Sequence, residues 1–367
     1  MAKIRVSFVT QDLVAGALLF GNQRFAKRLI ELGHEAEFVA IDTSETSATE
    51  SLPPGVTWAA LGADRVRKAP WRLARHFRRS RPEVVFVSGF IQGLTCLLAA
   101  RMMRRPPRIV IRAHVVSSTY LASQTSAIDR TMLVPLLRRS RSHRVGFAAV
   151  SNAGARDLEN VLGFPMGSVA TLYDPVLPVE ARRLQSFEHP WLDDASTPIL
   201  LAVGRLVPAK DFATLVRAFK IVLQEQPTWR LVILGDGHER ARLEKLISEL
   251  DIARSVLLPG FVNPANGYQR ADLFVCSSVT EGLCNVIIEA LAEGCSVVST
   301  DCPVGPSEIL LGGALGKLVP VGDPEALAAA MLGATSQACD RNAAIRRAAD
   351  FHIDRVWPQF AQLAGIT

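Results

Sequence analysis

Thr280-Glu281-Gly282-Leu283-Cys284-Asn285-Val286-Ile287-Ile288-Glu289-Ala290-Leu291 is the stretch from which the rest of the chain is read. It follows Asp272-Leu273-Phe274-Val275-Cys276, an apolar run that predicts a buried strand, and Val286 to Glu293 predicts a helix. A strand, a short turn with one glycine and a helix start make an anion site. The first N–H groups of a helix have no partner inside it, and the helix dipole favours negative charge there. Glu281 lies in the turn and Glu289 on the helix. A carboxylate beside a phosphate site repels the phosphate but is a strong acceptor for hydroxyls. Phosphate flanked by hydroxyls describes a sugar nucleotide. On spacing alone the two glutamates also fit a plainer role, favouring the early helix turns through the dipole by about 0.3–1 kcal/mol each.

At 367 residues the chain is long enough for two domains with full cores. Apolar residues make up 49% of it, which excludes a disordered chain. The six cysteines, Cys96, Cys276, Cys284, Cys295, Cys302 and Cys339, form no C-x-x-C pair, and several fall in apolar runs. That pattern predicts reduced thiols rather than a disulfide framework or a zinc site. The apolar part of Lys3 to Thr10 is too short for a signal peptide, and the stretch from Gly89 to Ala100 is too short to span a bilayer, so a cytoplasmic location is expected. The net charge of +6 is unevenly spread. Residues 1–178 hold 24 Lys+Arg against 13 Asp+Glu, a balance of +11, and the remainder holds 17 against 22, a balance of −5. A basic first half suits an anionic surface or polymer.

The chain opens as a βαβ unit: strand Lys3 to Thr10, a loop from Gln11 to Gly21, helix Asn22 to Leu32 ended by Gly33, and a strand from Glu35. No G-x-G-x-x-G follows the first strand. Pro70 to Arg79 predicts a basic helix whose stripe Trp71, Ala74 and Phe77 faces a core, with a membrane-surface role as the sharper alternative. The strand Arg108 to Ala113 runs into His114, at the end where open α/β sheets bind ligands. Pro178 to Ser196 is charged, has prolines toward both ends (Pro178 and Pro190) and no sustained period, and predicts a linker. The βα alternation then restarts. Strand Ile199 to Val203 leads into Gly204-Arg205-Leu206-Val207-Pro208-Ala209-Lys210-Asp211, whose Arg205 and Lys210 can neutralise a pyrophosphate, the arginine through a fork and the lysine as a point charge. Further strand-and-glycine turns end at Gly235 and at Gly260-Phe261-Val262.

The opening stretch resembles the Glu-x7-Glu element of the retaining glycosyltransferases of family four, and the resemblance continues through Gly294 to Leu310 and the Gly-Arg-x(n)-Lys turn at Arg205 and Lys210. It implies the α/β GT-B fold, with two Rossmann-like parallel-sheet domains facing across a cleft. The implied division is an acceptor domain over 1–178, a linker over 179–197, a sugar-nucleotide domain over 198–350, and a terminal helix over 351–367 that crosses back to the first domain. Gly16 matches the first glycine of the family's Gly-Gly loop, and Ala17 departs from the second, where a Cβ must be cleared.

Carried over to this chain, the resemblance implies that Glu281 orients hydroxyls of the transferred sugar and that His114 contacts it. Arg205, Lys210 and the N–H groups from Gly282 through Leu283, Cys284 and Asn285 to Val286 meet the diphosphate. Glu289 accepts from the ribose, and Gly235, Phe261 and Val262 border the nucleotide. Asp-x-Asp is absent from the sequence, so no metal and no cofactor is expected. The implied reaction moves a hexose or N-acetylhexosamine, with UDP donors favoured, to a glycan or polyprenyl-linked glycan, with a possible anionic membrane surface as partner and no nucleic acid. Two other readings stay open at this point: a sugar-nucleotide epimerase of the same fold, and a non-catalytic sugar-nucleotide-binding subunit.

Overall fold

The computed structural model describes residues 3–13, 17–42, 52–63, 68–123, 127–177, 187–335 and 340–366. In chain order the first elements are β1 (Arg5–Thr10), α1 (Ala17–Glu31), β2 (Glu35–Ala40), β3 (Thr57–Ala60), α2 (Ala69–Ser80), β4 (Val84–Ser88), α3 (Phe90–Arg101), β5 (Arg108–Ala113), α4 (Ser117–Ser123), α5 (Ala127–Ser140), β6 (Val145–Ala149), α6 (Asn152–Leu162) and β7 (Ala170–Thr171). They are followed by α7 (Pro190–Asp193), β8 (Ile199–Val203), α8 (Phe212–Glu225), β9 (Arg230–Leu234), α9 (Arg240–Glu249), β10 (Val256–Gly260), α10 (Ala265–Arg270) and β11 (Leu273–Cys276). The last are α11 (Asn285–Ala292), β12 (Ser296–Thr300), α12 (Pro306–Ile309), β13 (Lys317–Val319), α13 (Pro324–Thr335), α14 (Arg341–Ala349) and α15 (Ile353–Ala364). The chain divides into two compact units, Met1–Pro175 with Ile353–Thr367, and Val176–His352.

The first unit is a seven-stranded sheet in the order β3-β2-β1-β4-β5-β6-β7, and every strand pair is parallel. Strands β1, β2, β4 and β5 are buried at nearly every position, which is why they read as continuous apolar runs: helices cover both faces. Register places Phe8 of β1 opposite Phe38 of β2 and Phe86 of β4. Phe360 of α15 stacks on this row, with ring centroids 4.5 Å from Phe86 and 6.1 Å from Phe8, and 4.3 Å from Phe25 of α1. The C-terminal helix therefore completes the core of the first unit, although 177 residues belonging to the other unit precede it.

Two sequence expectations are corrected here, the start of α1 and the buried stripe of α2. Helix α1 starts at Ala17 rather than Asn22. Gly21 is not a boundary; it lies within the helix, where an added Cβ would stand 2.9 Å from Asp174 Oδ1. In α2 the buried line is Ala69, Leu73, Ala74 and Phe77, whereas Trp71 is 54% exposed with the Arg75 guanidinium 5.8 Å from its ring centroid. Spacing of three to four residues joins 69, 73 and 77, and Trp71 lies off that line. Of the stretch expected to be a linker, residues 179–186 lie outside the described residues, and the rest carries the single-turn helix α7 with Phe187 buried before it.

The second unit is a six-stranded parallel sheet in the order β10-β9-β8-β11-β12-β13. Helix α8 is capped by Asp211, whose side chain accepts from the Thr214 N–H at 3.3 Å, and its apolar face of Leu215, Val216 and Phe219 packs into the core. Among the described residues no helix is long and apolar enough to cross a membrane.

Phe360→Ala should remove about 3–5 kcal/mol from the first unit. Hydrogen exchange of β1 and β4 amides at increasing urea measures this. Wild-type protection in the variant would contradict the role given to α15.

Candidate functional site

In the second unit β8, β9 and β10 fill one side of the sheet and β11, β12 and β13 the other, so the strand order reverses between β8 and β11. Loops leaving two such strands run apart and open a crevice at the strand ends. Those loops are Gly204 to Asp211 and Ser277 to Cys284, the two segments that the sequence singles out. They are tied together: Ser277 Oγ donates to the Lys210 carbonyl at 2.8 Å, and the Val279 amide to the Ala209 carbonyl at 2.9 Å. Thr300 Oγ1, from the end of β12, donates to the Ser278 carbonyl at 2.6 Å.

The clamp brings Lys210 onto Glu281. Lys210 Nζ donates to Glu281 Oε1, which also accepts from Ser278 Oγ at 2.6 Å. The two side chains are only 20% and 11% exposed. Burial alone would lower the lysine's pKa. The charge of Glu281 and its hydrogen bond outweigh that and raise it, so the ammonium stays protonated.

Backbone proximity fixes the neighbouring turns. The Gly204 amide donates to Leu234 and the Gly235 amide to Gly260, lacing the ends of β8, β9 and β10. Gly235 has φ +142, and a Cβ there would lie 1.9 Å from the Gly204 carbonyl oxygen, so no other residue fits. Arg205 projects from the first of these turns and is exposed, as is Phe261; Val262 is half-buried. Gly282 is half-buried and Leu283 buried, with Leu283 O only 2.7 Å from where a Cβ on Gly305 would sit.

Helix α11 starts at Asn285 after Cys284, a non-glycine residue at φ 72 whose side chain makes no capping hydrogen bond. Its inward face carries Glu289, 3% exposed, which accepts from the Tyr268 hydroxyl of α10 at 2.9 Å. Tyr268 was invisible to the sequence argument: it lies 21 residues away in a segment without a motif. Its functional signal is a buried hydroxyl whose partner is a buried carboxylate.

The first unit has its own switch point, between β1 and β4. Ser88, at the end of β4, is hydrogen-bonded to His114 Nε2 at 3.3 Å, with His114 just past β5. Below it Arg112 is 2% exposed, pairs with Asp174 Oδ1 at 2.8 Å and donates to the Leu172 carbonyl at 2.7 Å. Burial first, then the Arg112 charge, pushes the His114 pKa down to about 3, against a smaller opposing pull from Asp174. The imidazole is therefore neutral at physiological pH, able to donate from one nitrogen and accept at the other. Asp174, which the sequence reading left without a role, is the counter-ion of this cluster. Gly16 lies outside the described residues.

Residues 22–176 match the family described as Glycosyltransferase Family 4, and residues 197–337 match Glycosyl transferases group 1. The chain belongs to this glycosyltransferase family, and its fold is GT-B. It is 31% identical over 228 residues to an N-acetylgalactosamine-N,N'-diacetylbacillosaminyl-diphospho-undecaprenol 4-alpha-N-acetylgalactosaminyltransferase of Campylobacter jejuni, covering 61% of this chain and 59% of that protein. It is 38% identical over 138 residues to a lipopolysaccharide core biosynthesis glycosyltransferase of Rhizobium meliloti, covering 37% of this chain and 39% of that protein. The matched stretches thus span less than two thirds of both relatives. Anabaena HepE, solved in complex with UDP and glucose, superposes with a TM-score of 0.79 at 18% identity, over 99% of this chain and 100% of that one.

Tyr268→Phe should leave the fold intact and raise the KM for a sugar-nucleotide donor about ten-fold, the effect of losing about 1.5 kcal/mol from a hydrogen bond to a carboxylate. An unchanged KM would remove Tyr268 from the site. The His114 ring signals in proton NMR, assigned with His114→Gln, should not titrate between pH 8 and pH 5. Because its folded pKa lies below the ordinary value of 6.5, the unfolded chain takes up this proton first, and stability declines as pH falls below that value. A midpoint near 6.5 would contradict the burial argument.

Proposed function

We propose that this protein is a retaining glycosyltransferase that moves a hexose or N-acetylhexosamine from a UDP-sugar to a hydroxyl of a glycan or polyprenyl-linked glycan during envelope polysaccharide synthesis. The observation that carries this reading is the Lys210–Glu281 pair at the switch point, next to the start of α11. A diphosphate there meets a half-buried ammonium and helix N–H groups, and two carboxylates stand ready for hydroxyls. The names of the Campylobacter and Rhizobium relatives support the envelope setting, and the ligands of Anabaena HepE support a UDP-sugar.

In this reading Lys210, Arg205 and the α11 N–H groups stabilise the charge that develops on the departing nucleoside diphosphate, in place of a divalent ion. Glu289, held by Tyr268, accepts from the ribose hydroxyls. Glu281 accepts from hydroxyls of the transferred sugar. The acceptor hydroxyl attacks from the face that the diphosphate leaves, and a donor phosphate oxygen takes its proton, so the anomeric configuration is kept. The basic first half suits an acceptor carrying phosphate or a peripheral position on an anionic membrane.

A thermal-shift screen against UDP-, GDP- and ADP-sugars tests the donor. The true donor at a hundred times its Kd stabilises the fold by about 2.7 kcal/mol. UDP-hexose or UDP-N-acetylhexosamine should raise the Tm, and Lys210→Ala and Glu289→Ala should abolish the rise while still melting cooperatively. Transfer with EDTA should match transfer without it. A Tm rise that survives in both variants would overturn the site.

A further inference from the structure

The thiols of Cys276 and Cys284 lie against the donor site and have no part in the reaction proposed above. Their Sγ atoms are 3.5 Å apart, and both side chains are buried. Each sulfur and a carboxylate oxygen of Glu281 lie within 4.8 Å of one another. We infer that Cys276, Cys284 and Glu281 form a binding site for a thiophilic divalent cation of the zinc class, and that filling it silences the donor pocket.

Geometry carries the first half. Two thiolates on one tetrahedral zinc, each at about 2.3 Å, stand about 3.8 Å apart. The observed spacing differs from this by a few tenths of an ångström. The ligands are also set on regular elements: Cys276 ends β11, Cys284 precedes the first residue of α11, and Ser278 Oγ donates to Glu281 between them. Cys302 is engaged elsewhere, its thiol donating to the Val304 carbonyl at 3.5 Å.

Charge supports the same conclusion. With both thiols protonated, Lys210 and Glu281 cancel. An ion that displaces the two thiol protons adds two positive charges as two negative ones appear, so the buried pocket is neutral before and after. The second half follows from Glu281. An ion bound to its carboxylate takes an oxygen meant for the sugar and sets a second cation beside Lys210. This consequence rests on the donor reading; the site itself does not.

Cobalt reports the site without any activity. One equivalent of Co²⁺ added to the metal-free protein should give a sulfur-to-cobalt charge-transfer band in the near ultraviolet and release about two protons per ion. Cys276→Ser should lose the band, and Zn²⁺ should quench it in the wild type. Zn²⁺ should also abolish the Tm rise given by the UDP-sugar, and EDTA should restore it. Absence of a band in the wild type, or its persistence in Cys276→Ser, would overturn the site. A full UDP-sugar shift on zinc-saturated protein would overturn the silencing. If no sugar nucleotide shifts the metal-free protein, the donor reading fails while the cobalt band still decides the metal site.

Discussion

A half-desolvated lysine and glutamate meet where the strand order of the second sheet reverses, and the rest of the site is arranged around that pair. Taking two ions from water costs several kcal/mol each, and their attraction offsets the cost only in good geometry. Lys210 and Glu281 have that geometry because the loops bearing them are clamped by Ser277, Val279 and Thr300. The laced glycine turns at Gly204, Gly235 and Gly260 hold the adjoining strand ends at one level. An apolar pair would stabilise the sheet equally well. Keeping two charges here suits a ligand that alternately takes the lysine and the glutamate: an anion for one, hydroxyls for the other.

The first unit also carries a buried ion pair, with different chemistry, further along its sheet. A buried ion pair, Arg112 with Asp174, sits beneath His114, and the glycine at position 21 gives the Asp174 carboxylate room against α1. The arginine's charge reinforces burial in keeping the imidazole neutral. Each unit thus holds an ion pair near its strand ends, Lys210 with Glu281 and Arg112 with Asp174. Each relies on a parallel sheet whose strand ends are held by short, close-fitting turns.

Much of this was legible in the sequence, for physical reasons. Parallel strands buried on both faces appear as plain apolar runs, so both βα alternations and the strand–turn–helix around Glu281 could be read directly. What the sequence could not supply was pairing across distance. Lys210 and Glu281 are 71 residues apart, and nothing in the spacing of either segment marks them as partners. Tyr268 and Asp174 gave no signal because their roles depend on what they touch. β3 was missed because it is a short, partly exposed edge strand, and α4 because Ser117 to Ser123 is rich in serine, which competes with the helix for backbone hydrogen bonds. Gly21 misled because glycine usually marks a helix end, and here it marks a close approach.

The most direct measurement of the central claim is a crystal structure of the protein soaked with UDP-hexose or UDP-N-acetylhexosamine. The diphosphate should lie on Lys210 and the first turn of α11, with ribose hydroxyls on Glu289 and Lys210 drawn off Glu281 toward phosphate. Ordered nucleotide elsewhere, with the Lys210–Glu281 pair unbroken, would contradict it.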